Sequence, residues 1–394
     1  VNTTGGAISV NLPAGTAGDV VAIKDYAGTF DTNACTLVQN GSDKIGGTTI
    51  NAILNTEGIA VTLVFVDSTQ GWLVTDSGLQ SESPSPLFVT ATGGTITTSG
   101  NFKIHTFTGP GTFAVSNAGN ADGSNSVDYL VVAGGGGAGA DEGGGGGGAG
   151  GFRESPGTAS GSYTVSPLGT SPAVALSVPV TSYPITVGGG GAGGPMSPSK
   201  QQGTSGSNSI FSTITSTGGG GGGYGNGPSP DAGLYGKDGG SGGGAGGRIG
   251  TPYQAASKGQ GNTPTVSPSQ GNPGGAAKTC TSNSNDSAGG GGGATATGSN
   301  ASNPEGPSGN GGAGATTSIS ATPTAYAGGG AGGNNSGGTS AGTGGTGGGG
   351  NGSNNNVGGA GTDNTGGGGG GAGTGGNAGG AGGSGIVIIR YKFQ

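Results

Sequence analysis

The sequence predicts an all-β fold in two parts: a small N-terminal β-sandwich or prism, and a β platform that carries a lattice of polyglycine II helices. Essentially no α-helix is expected. Short apolar runs at regular spacing fill the first part, which is typical of an antiparallel β unit. Almost pure glycine blocks then recur through residues 133–385, with an apolar strand at each end of that region. Only 14 of the 108 glycines lie in the first 100 residues, so the change in composition marks a domain boundary.

Residues 1–80 are predicted to form the small β domain. Alternating or continuous apolar runs indicate its strands, and Asn40-Gly41 is a strong hairpin-turn dipeptide. We interpret Trp72, the single tryptophan, as a core anchor rather than a binding platform. Proline and serine at 81–88 predict an extended linker. The predicted strands are 7–12, 19–24, 36–39, 59–66 and 71–75.

Residues 89–132, together with 386–394, are predicted to form the β platform. We expect its strands to pair in one sheet, from which the glycine helices leave and to which the chain returns. His105, the only histidine, alternates with apolar neighbours on one of these strands, which favours a structural role over metal ligation. The predicted strands are 89–92, 95–98, 101–107, 112–115, 127–133 and 385–393.

The glycine blocks of residues 133–385 have two interpretations. Glycine loses the most backbone freedom on folding and has no side chain to bury, so a flexible linker is one of them. The other is a bundle of polyglycine II helices, which have three residues per turn and donate their backbone hydrogen bonds to neighbouring helices. The return of similar blocks between apolar strands favours the bundle.

In the bundle, mid-block glycines are predicted to be essential because any side chain would separate neighbouring helices. Alanines within the blocks are expected to face outward, where a methyl group fits. The predicted lattice glycines are Gly145, Gly220, Gly291, Gly348 and Gly368, and the alanines are Ala138, Ala149, Ala192 and Ala331.

Composition and motifs disfavour several classes of protein. The net charge is −7 and no basic patch is visible, so nucleic acid is not expected as a partner. No apolar stretch is long enough to span a membrane, and no secretion signal is visible. Cys35 and Cys280 are interpreted as free thiols. With one histidine and no cofactor motif in a suitable context, no enzyme, cofactor or metal is expected; Asp141 and Glu142 are interpreted as solvated loop carboxylates.

Three segments carry a resemblance to a known family. Tyr129-Leu-Val-Val-Ala-Gly-Gly-Gly-Gly137, Gly150-Gly-Phe-Arg153 and Gly385-Ile-Val-Ile-Ile-Arg-Tyr391, with the blocks between them, look like the glycine-rich domain of bacteriophage tail-fibre proteins. The resemblance covers about residues 120–394. A weaker likeness joins 18–25 and 40–46 to an N-terminal module of phage tail fibres.

The resemblance implies a non-catalytic adhesin at the virion tail, outside the cell, that recognises a host cell-surface glycan or outer-membrane protein through loops on a stacked polyglycine II lattice. It implies other tail or fibre proteins as partners of the N-terminal domain, and a homotrimer or a monomer. The rival hypothesis is a structural fibre, extracellular filament or matrix protein in which the lattice provides stiffness only.

Aromatic residues between glycine blocks are the candidate receptor contacts. On short anchored loops they would offer rigid faces to sugar rings or protein side chains at low entropic cost. The alternative is that they pack along the flanks of the lattice and seal its edges. The candidates are Phe211, Tyr224, Tyr235 and Tyr253.

Overall fold

The computed structural model is all-β, and it contains no α-helix among the residues that it describes. The chain forms two compact units, Val1–Ser85 and Pro86–Gln394, so the predicted platform and the glycine-rich region belong to the same unit. The described residues are 1–79, 86–161, 163–197, 199–225, 232–249, 257–280, 287–302, 306–335 and 340–394.

The N-terminal unit contains two three-stranded sheets around one apolar core. The sheets have the orders β1-β3-β4 and β2-β5-β6, and β1 pairs with β3 in parallel. Trp72 is fully buried in this core, where its ring meets the Phe65 ring edge-on, so its interpretation as a core anchor is confirmed. The five predicted strands are present, and β4 is an addition. The strands are β1 (Ile8–Asn11), β2 (Val20–Lys24), β3 (Cys35–Val38), β4 (Ala52–Leu54), β5 (Ile59–Phe65) and β6 (Trp72–Leu79).

The second unit begins with strands that form two sheets, not the single sheet that the sequence predicts. One has the order β16-β15-β14-β10-β7 and the other β12-β11-β21-β9-β8, with β13 paired to β11. The strands are β7 (Val89–Thr92), β8 (Thr95–Ser99), β9 (Phe102–Phe107), β10 (Gly111–Ala118), β11 (Ser126–Val132), β12 (Phe152–Glu154), β13 (Leu176–Ser177), β14 (Ser182–Thr186), β15 (Ser209–Phe211), β16 (Ile214–Ser216) and β21 (Ile386–Lys392).

The two sheets pack face to face as a sandwich. Phe113 of one sheet and Tyr391 of the other meet in its core, with the ring of His105 against both. His105 is fully buried; its Nδ1 lies 2.7 Å from the Gly93 carbonyl oxygen and its Nε2 lies 3.0 Å from the Tyr391 hydroxyl. The structural role predicted for His105 is therefore confirmed.

Strands β11 and β21 are buried on both faces, which explains their continuous apolar runs. One face lies against the second sheet. The other packs against the hairpin β19 (Ala315–Thr317) and β20 (Thr324–Tyr326) and against neighbouring glycine segments. The two-stranded pair β17 (Arg248–Ile249) and β18 (Thr279–Cys280) completes the strands.

The glycine blocks form a lattice whose hydrogen bonds repeat every three residues, which is the period of a polyglycine II helix. Residues i and i+3 of segment 143–150 donate to the same neighbouring segment, whereas i+1 and i+2 donate to two others. The pairs are Gly145 to Gly223 and Gly148 to Gly220, Gly146 to Gly289 and Ala149 to Gly292, and Gly147 to Gly369 and Gly150 to Gly366, with N···O distances of 2.7–3.1 Å.

Three further segments donate to the carbonyl groups of 143–150, so this helix has six hydrogen-bonded neighbours. The donor residues are Gly136 and Gly139 in the first segment, Ser241 and Gly244 in the second, and Gly330 and Gly333 in the third. The register runs antiparallel for five of the six neighbours and parallel for segment 289–292. Buried backbone groups are thus satisfied between segments instead of within them, at about 0.5–1.5 kcal/mol net for each bond.

Close packing explains why the interior positions are glycine. A Cβ at Gly145, Gly220, Gly291 or Gly368 would lie 1.9–2.3 Å from a carbonyl oxygen of a neighbouring segment. Gly348 differs from these four. It lies in a turn at φ +93°, and its Cβ would meet the Thr365 side chain at 2.1 Å, so it is a turn glycine instead of a mid-lattice one.

The expectation that the block alanines face outward is wrong for three of the four. Ala138, Ala149 and Ala331 are fully buried, and only Ala192 is exposed. Ala149 packs against Phe152 beneath the sandwich. The lattice therefore contains small gaps that a single methyl group fills.

Candidate functional site

The lattice has a sandwich end and an opposite end, and its ladder of hydrogen bonds distinguishes them. Ala133, directly after β11, donates to Gly151; Gly136 donates to Gly148, and Gly139 to Gly145. The turn at residues 140–143 therefore lies at the end away from the sandwich, which we call the distal end.

Other turns meet the 140–143 turn at the distal end. Ala140 N–H donates to Gln201 O at 3.2 Å and accepts at its carbonyl from Gly225 N–H at 2.9 Å. Asp141 N–H donates to Asn377 O at 3.0 Å. Segments that are far apart in sequence thus converge on one surface.

Phe211, the first predicted receptor contact, is not on this surface. It belongs to β15 at the sandwich end, is fully buried, and packs edge-on against Phe113 and Tyr183. The expectation that Phe211 is exposed is wrong, because the run Ser209-Ile-Phe211 forms a strand of the sandwich and not a loop.

Tyr224 lies at the distal end, but only 8% of it is exposed. Its ring packs with Leu234, Ala245 and Ala277. A Cβ on Gly233 would lie 2.0 Å from the Tyr224 ring, so the turn of residues 232–235 rests directly on the tyrosine. Tyr224 therefore anchors this turn and offers little ring face to a receptor, as in the alternative in which the aromatics seal the lattice.

Among the three candidates that the structure describes, Tyr235 is the one with a substantial exposed fraction, 36%. Its carbonyl accepts from Gln202 Nε2 at 2.8 Å, and the same amide donates to Ala232 O at 3.0 Å, so Gln202 fixes the turn that carries the tyrosine. Tyr253 lies outside the described residues.

Asp141 and Glu142 form a partly buried corner beside these turns, so the interpretation of Asp141 as solvated is wrong. Asp141 is 7% exposed, adopts φ 67°, and forms an ion pair with Lys200 at 3.2 Å. Glu142 accepts from Asn335 Nδ2 at 3.1 Å. Burial raises the pKa of Glu142 above its ordinary value, and the charge of Asp141 adds to this shift. The charge of Lys200 opposes it. Two adjacent carboxylates in a predicted loop do not indicate that one of them is buried and paired with a lysine.

A groove of about 280 Å³ lies between the segment that begins at Lys200 and the turn that carries Tyr235. Lys200 Nζ lies 5.6 Å from the centre of the Tyr224 ring. Lys237 Nζ donates to Gly203 O at 3.0 Å. The groove is lined by Lys200, Gln201, Gln202, Thr204, Tyr224, Gly233 and Lys237. We call it the distal groove.

Sequence reasoning missed the segment that forms one wall of this groove. Residues 203–207 form an outer helix of the lattice: Gly203 donates to Gly222 O and Gly206 to Gly219 O, three residues apart. Thr204 and Ser205, between these two glycines, are both exposed. The signal was the spacing Gly203-Thr-Ser-Gly206, because a helix at the edge of the lattice needs glycine only on its inner face.

Metal-ligand clusters and long apolar helices are both absent from the described residues. No group of three His, Cys, Asp or Glu side chains is arranged to hold a metal ion there. The same residues contain no helix with the length and hydrophobicity that crossing a bilayer requires.

Comparison with known families gives one match: the family model of a glycine-rich domain, Gly_rich_2, matches residues 108–392. This range includes β11, β21, the whole lattice and the distal groove, and it excludes the N-terminal unit. A search of curated proteins returned no match.

Proposed function

This chain belongs to the glycine-rich domain family. From the resemblance of its glycine blocks and flanking strands to phage tail fibres, we propose that it acts as a non-catalytic adhesin of that type, in which the lattice holds the distal turns against a host cell surface. In this proposal the N-terminal unit joins the chain to other tail or fibre proteins. The place of action is the virion tail, outside the cell.

The observation that carries the proposal is the convergence of several turns at the distal end. The 140–143 turn, for example, lies between two glycine segments that are hydrogen-bonded to each other every three residues. A rigid scaffold lowers the entropic cost of holding the turns in a binding conformation. The turns carry the half-exposed Tyr235 and the distal groove.

Adsorption of labelled protein to bacterial cells tests the proposal. A panel of strains is titrated with the fluorescent full chain and with a double variant, Gln202→Ala and Tyr235→Ala, which changes the distal turn while leaving the lattice glycines in place. We expect saturable binding to at least one strain and its loss in the double variant.

The matched control is Val174→Ala together with Val180→Ala, two exposed apolar residues outside the lattice. This variant should adsorb like the wild type. Saturable binding to no strain, together with filaments in electron micrographs of the purified chain, would replace the adhesin by a structural fibre. Equal adsorption of the distal and control variants would move the binding surface away from the distal turn.

A further inference from the structure

The distal groove is lined by two lysines, although the protein as a whole is acidic. The chain carries a net charge of −7. The ionisable side chains that line the groove are nevertheless two lysines, Lys200 and Lys237, and the phenol of Tyr224. Carboxylates also lie beside these lysines: Asp141 forms an ion pair with Lys200 at 3.2 Å, and Asp238, which follows Lys237 in the chain, accepts from the backbone N–H of Gln260 at 2.6 Å.

The two ammonium groups are held in place by the lattice. Lys200 is fixed between the Asp141 carboxylate and the Tyr224 ring. Lys237 follows the turn that rests on Tyr224, and its bond to Gly203 uses one of the three N–H donors of an ammonium group. They come from the two segments that bound the groove, so an anion inside it would be approached from both sides.

The remaining lining groups suit hydroxyl groups. Gln201 provides a carboxamide, which can donate to and accept from sugar hydroxyls. Gln202 Oε1 and Thr204 Oγ1 can accept from them, since Gln202 Nε2 donates to Ala232 O and Tyr235 O and Thr204 Oγ1 donates to Ala192 O. A volume of about 280 Å³ is close to the lower end of the range for small-molecule sites, so it fits one or two sugar rings. A long polyanion would meet the negative charge of the rest of the chain, which disfavours nucleic acid.

We propose that the distal groove binds one sugar unit bearing a carboxylate or a phosphate, with Lys200 and Lys237 on the anionic group and Gln202 and Thr204 on the hydroxyls. Lysine binds such groups as a point charge. The inference rests on the proposed function, since it names the class of surface glycan that the adhesin would recognise.

Calorimetric titration of the full chain with four probes tests the inference: glucuronic acid, glucose 6-phosphate, glucose and inorganic phosphate. We expect one of the two acidic sugars to bind at least about tenfold more tightly than glucose, and its affinity to fall with added salt. Lys237→Gln should weaken that binding by about tenfold or more, since it removes a hydrogen bond to a charged group. Lys237→Arg should retain most of it.

Lys44→Gln is the matched control, because Lys44 also donates from Nζ to a backbone carbonyl, that of Thr69 at 3.3 Å, but lies in the other unit. It should leave the affinity unchanged. Equal binding of glucose and the acidic sugars, unchanged affinity in Lys237→Gln, binding of inorganic phosphate alone, or no binding of either acidic sugar would each overturn the inference. A melting temperature like that of the wild type shows that Lys237→Gln is folded.

The adsorption assay separates this inference from the proposed function. If cells adsorb the wild type and Lys237→Gln equally while the distal double variant fails, the adhesin stands and the acidic-sugar site falls. If the acidic sugar binds as expected but no strain adsorbs the protein, the site stands and the adhesin falls.

Discussion

The sandwich and the lattice of the second unit reach the folded state by opposite means. In the sandwich, large side chains such as Phe113 and Tyr391 fill an apolar core between two sheets. In the lattice, the interior is backbone, and segment 143–150 is enclosed by six hydrogen-bonded neighbours. The sandwich thus depends on which side chains are present, and the lattice on their absence. This contrast predicts different responses to mutation.

The largest expected effect is that of a side chain in the lattice interior. Gly220→Val should destabilise the second unit by about 4 kcal/mol or more, because the new Cβ would lie 1.9 Å from Lys237 O, a backbone atom that cannot move alone. Gly220→Ala should be nearly as damaging, since the first carbon already clashes. Urea denaturation followed by circular dichroism measures both.

Ser205→Val is the control for Gly220→Val within the same lattice. Ser205 is exposed on the outer helix of residues 203–207. Its replacement should change the free energy of unfolding by less than about 0.5 kcal/mol. Equal losses at positions 205 and 220 would contradict close packing of the lattice.

The next effect is graded loss in the sandwich. Phe113→Ala should cost about 3–5 kcal/mol, because Phe113 is fully buried and its ring meets those of His105, Phe211 and Tyr391. Phe113→Leu should cost clearly less, because it leaves a smaller cavity. Equal losses of stability in Phe113→Ala and Phe113→Leu would mean that the size of the side chain does not matter in the sandwich. The contrast with the lattice would then be wrong.

A third difference concerns pH, since the sandwich side contains a buried carboxyl group. Glu154 of β12 accepts from the hydroxyl of Thr317 and from Ser166 N–H, and burial raises its pKa although these bonds oppose the shift. The folded state thus favours the protonated form. Its contribution to stability is present below pH 4.5 and is lost as pH rises through the folded-state pKa.

The melting temperature of the wild type should therefore fall as the pH rises from 4.5 to neutrality. That of Glu154→Gln should fall less over the same range. Heat unfolding monitored by circular dichroism at several pH values gives the comparison. A wild type and a Glu154→Gln variant with parallel pH profiles would show that Glu154 titrates alike in the folded and unfolded chains.

The smallest effect is expected from making the lattice richer in glycine. Ala331→Gly should destabilise by about 1–2 kcal/mol, because it removes a fully buried methyl group and adds backbone freedom to the unfolded chain. Differential scanning calorimetry would detect the lower melting temperature. A more stable Ala331→Gly protein would mean that the lattice has no gaps suited to alanine.

Much of the fold could be predicted because its strands carry side-chain patterns. The apolar runs at 127–133 and 385–393 correspond to β11 and β21, which are buried on both faces. The strands β14 to β16 were missed because they are short and lie among Ser, Thr and Pro residues. The single predicted sheet became two because those missed strands extend the β7–β10 pair into a second sheet.

The candidate site was less predictable, and the glycine blocks explain why. A run of identical residues contains no information on register or on which segment lies beside which, so the meeting of Lys200 with Asp141 depends on tertiary packing alone. Tyr224 was placed correctly between blocks, but its burial depends on Leu234, Ala245 and Ala277 from three other segments. Only the three-residue spacing of Gly203 and Gly206 was a readable signal of an outer helix.

Amide hydrogen exchange of Gly145, Gly146, Gly147 and Gly148 tests most directly whether backbone bonds between helices hold the lattice. These four residues belong to no strand or α-helix, yet their N–H groups donate to three different segments. We expect them to be protected to a degree comparable with the amides of Leu130 and Val131 in β11. Exchange at random-coil rates in segment 145–148, with β11 still protected, would contradict the lattice.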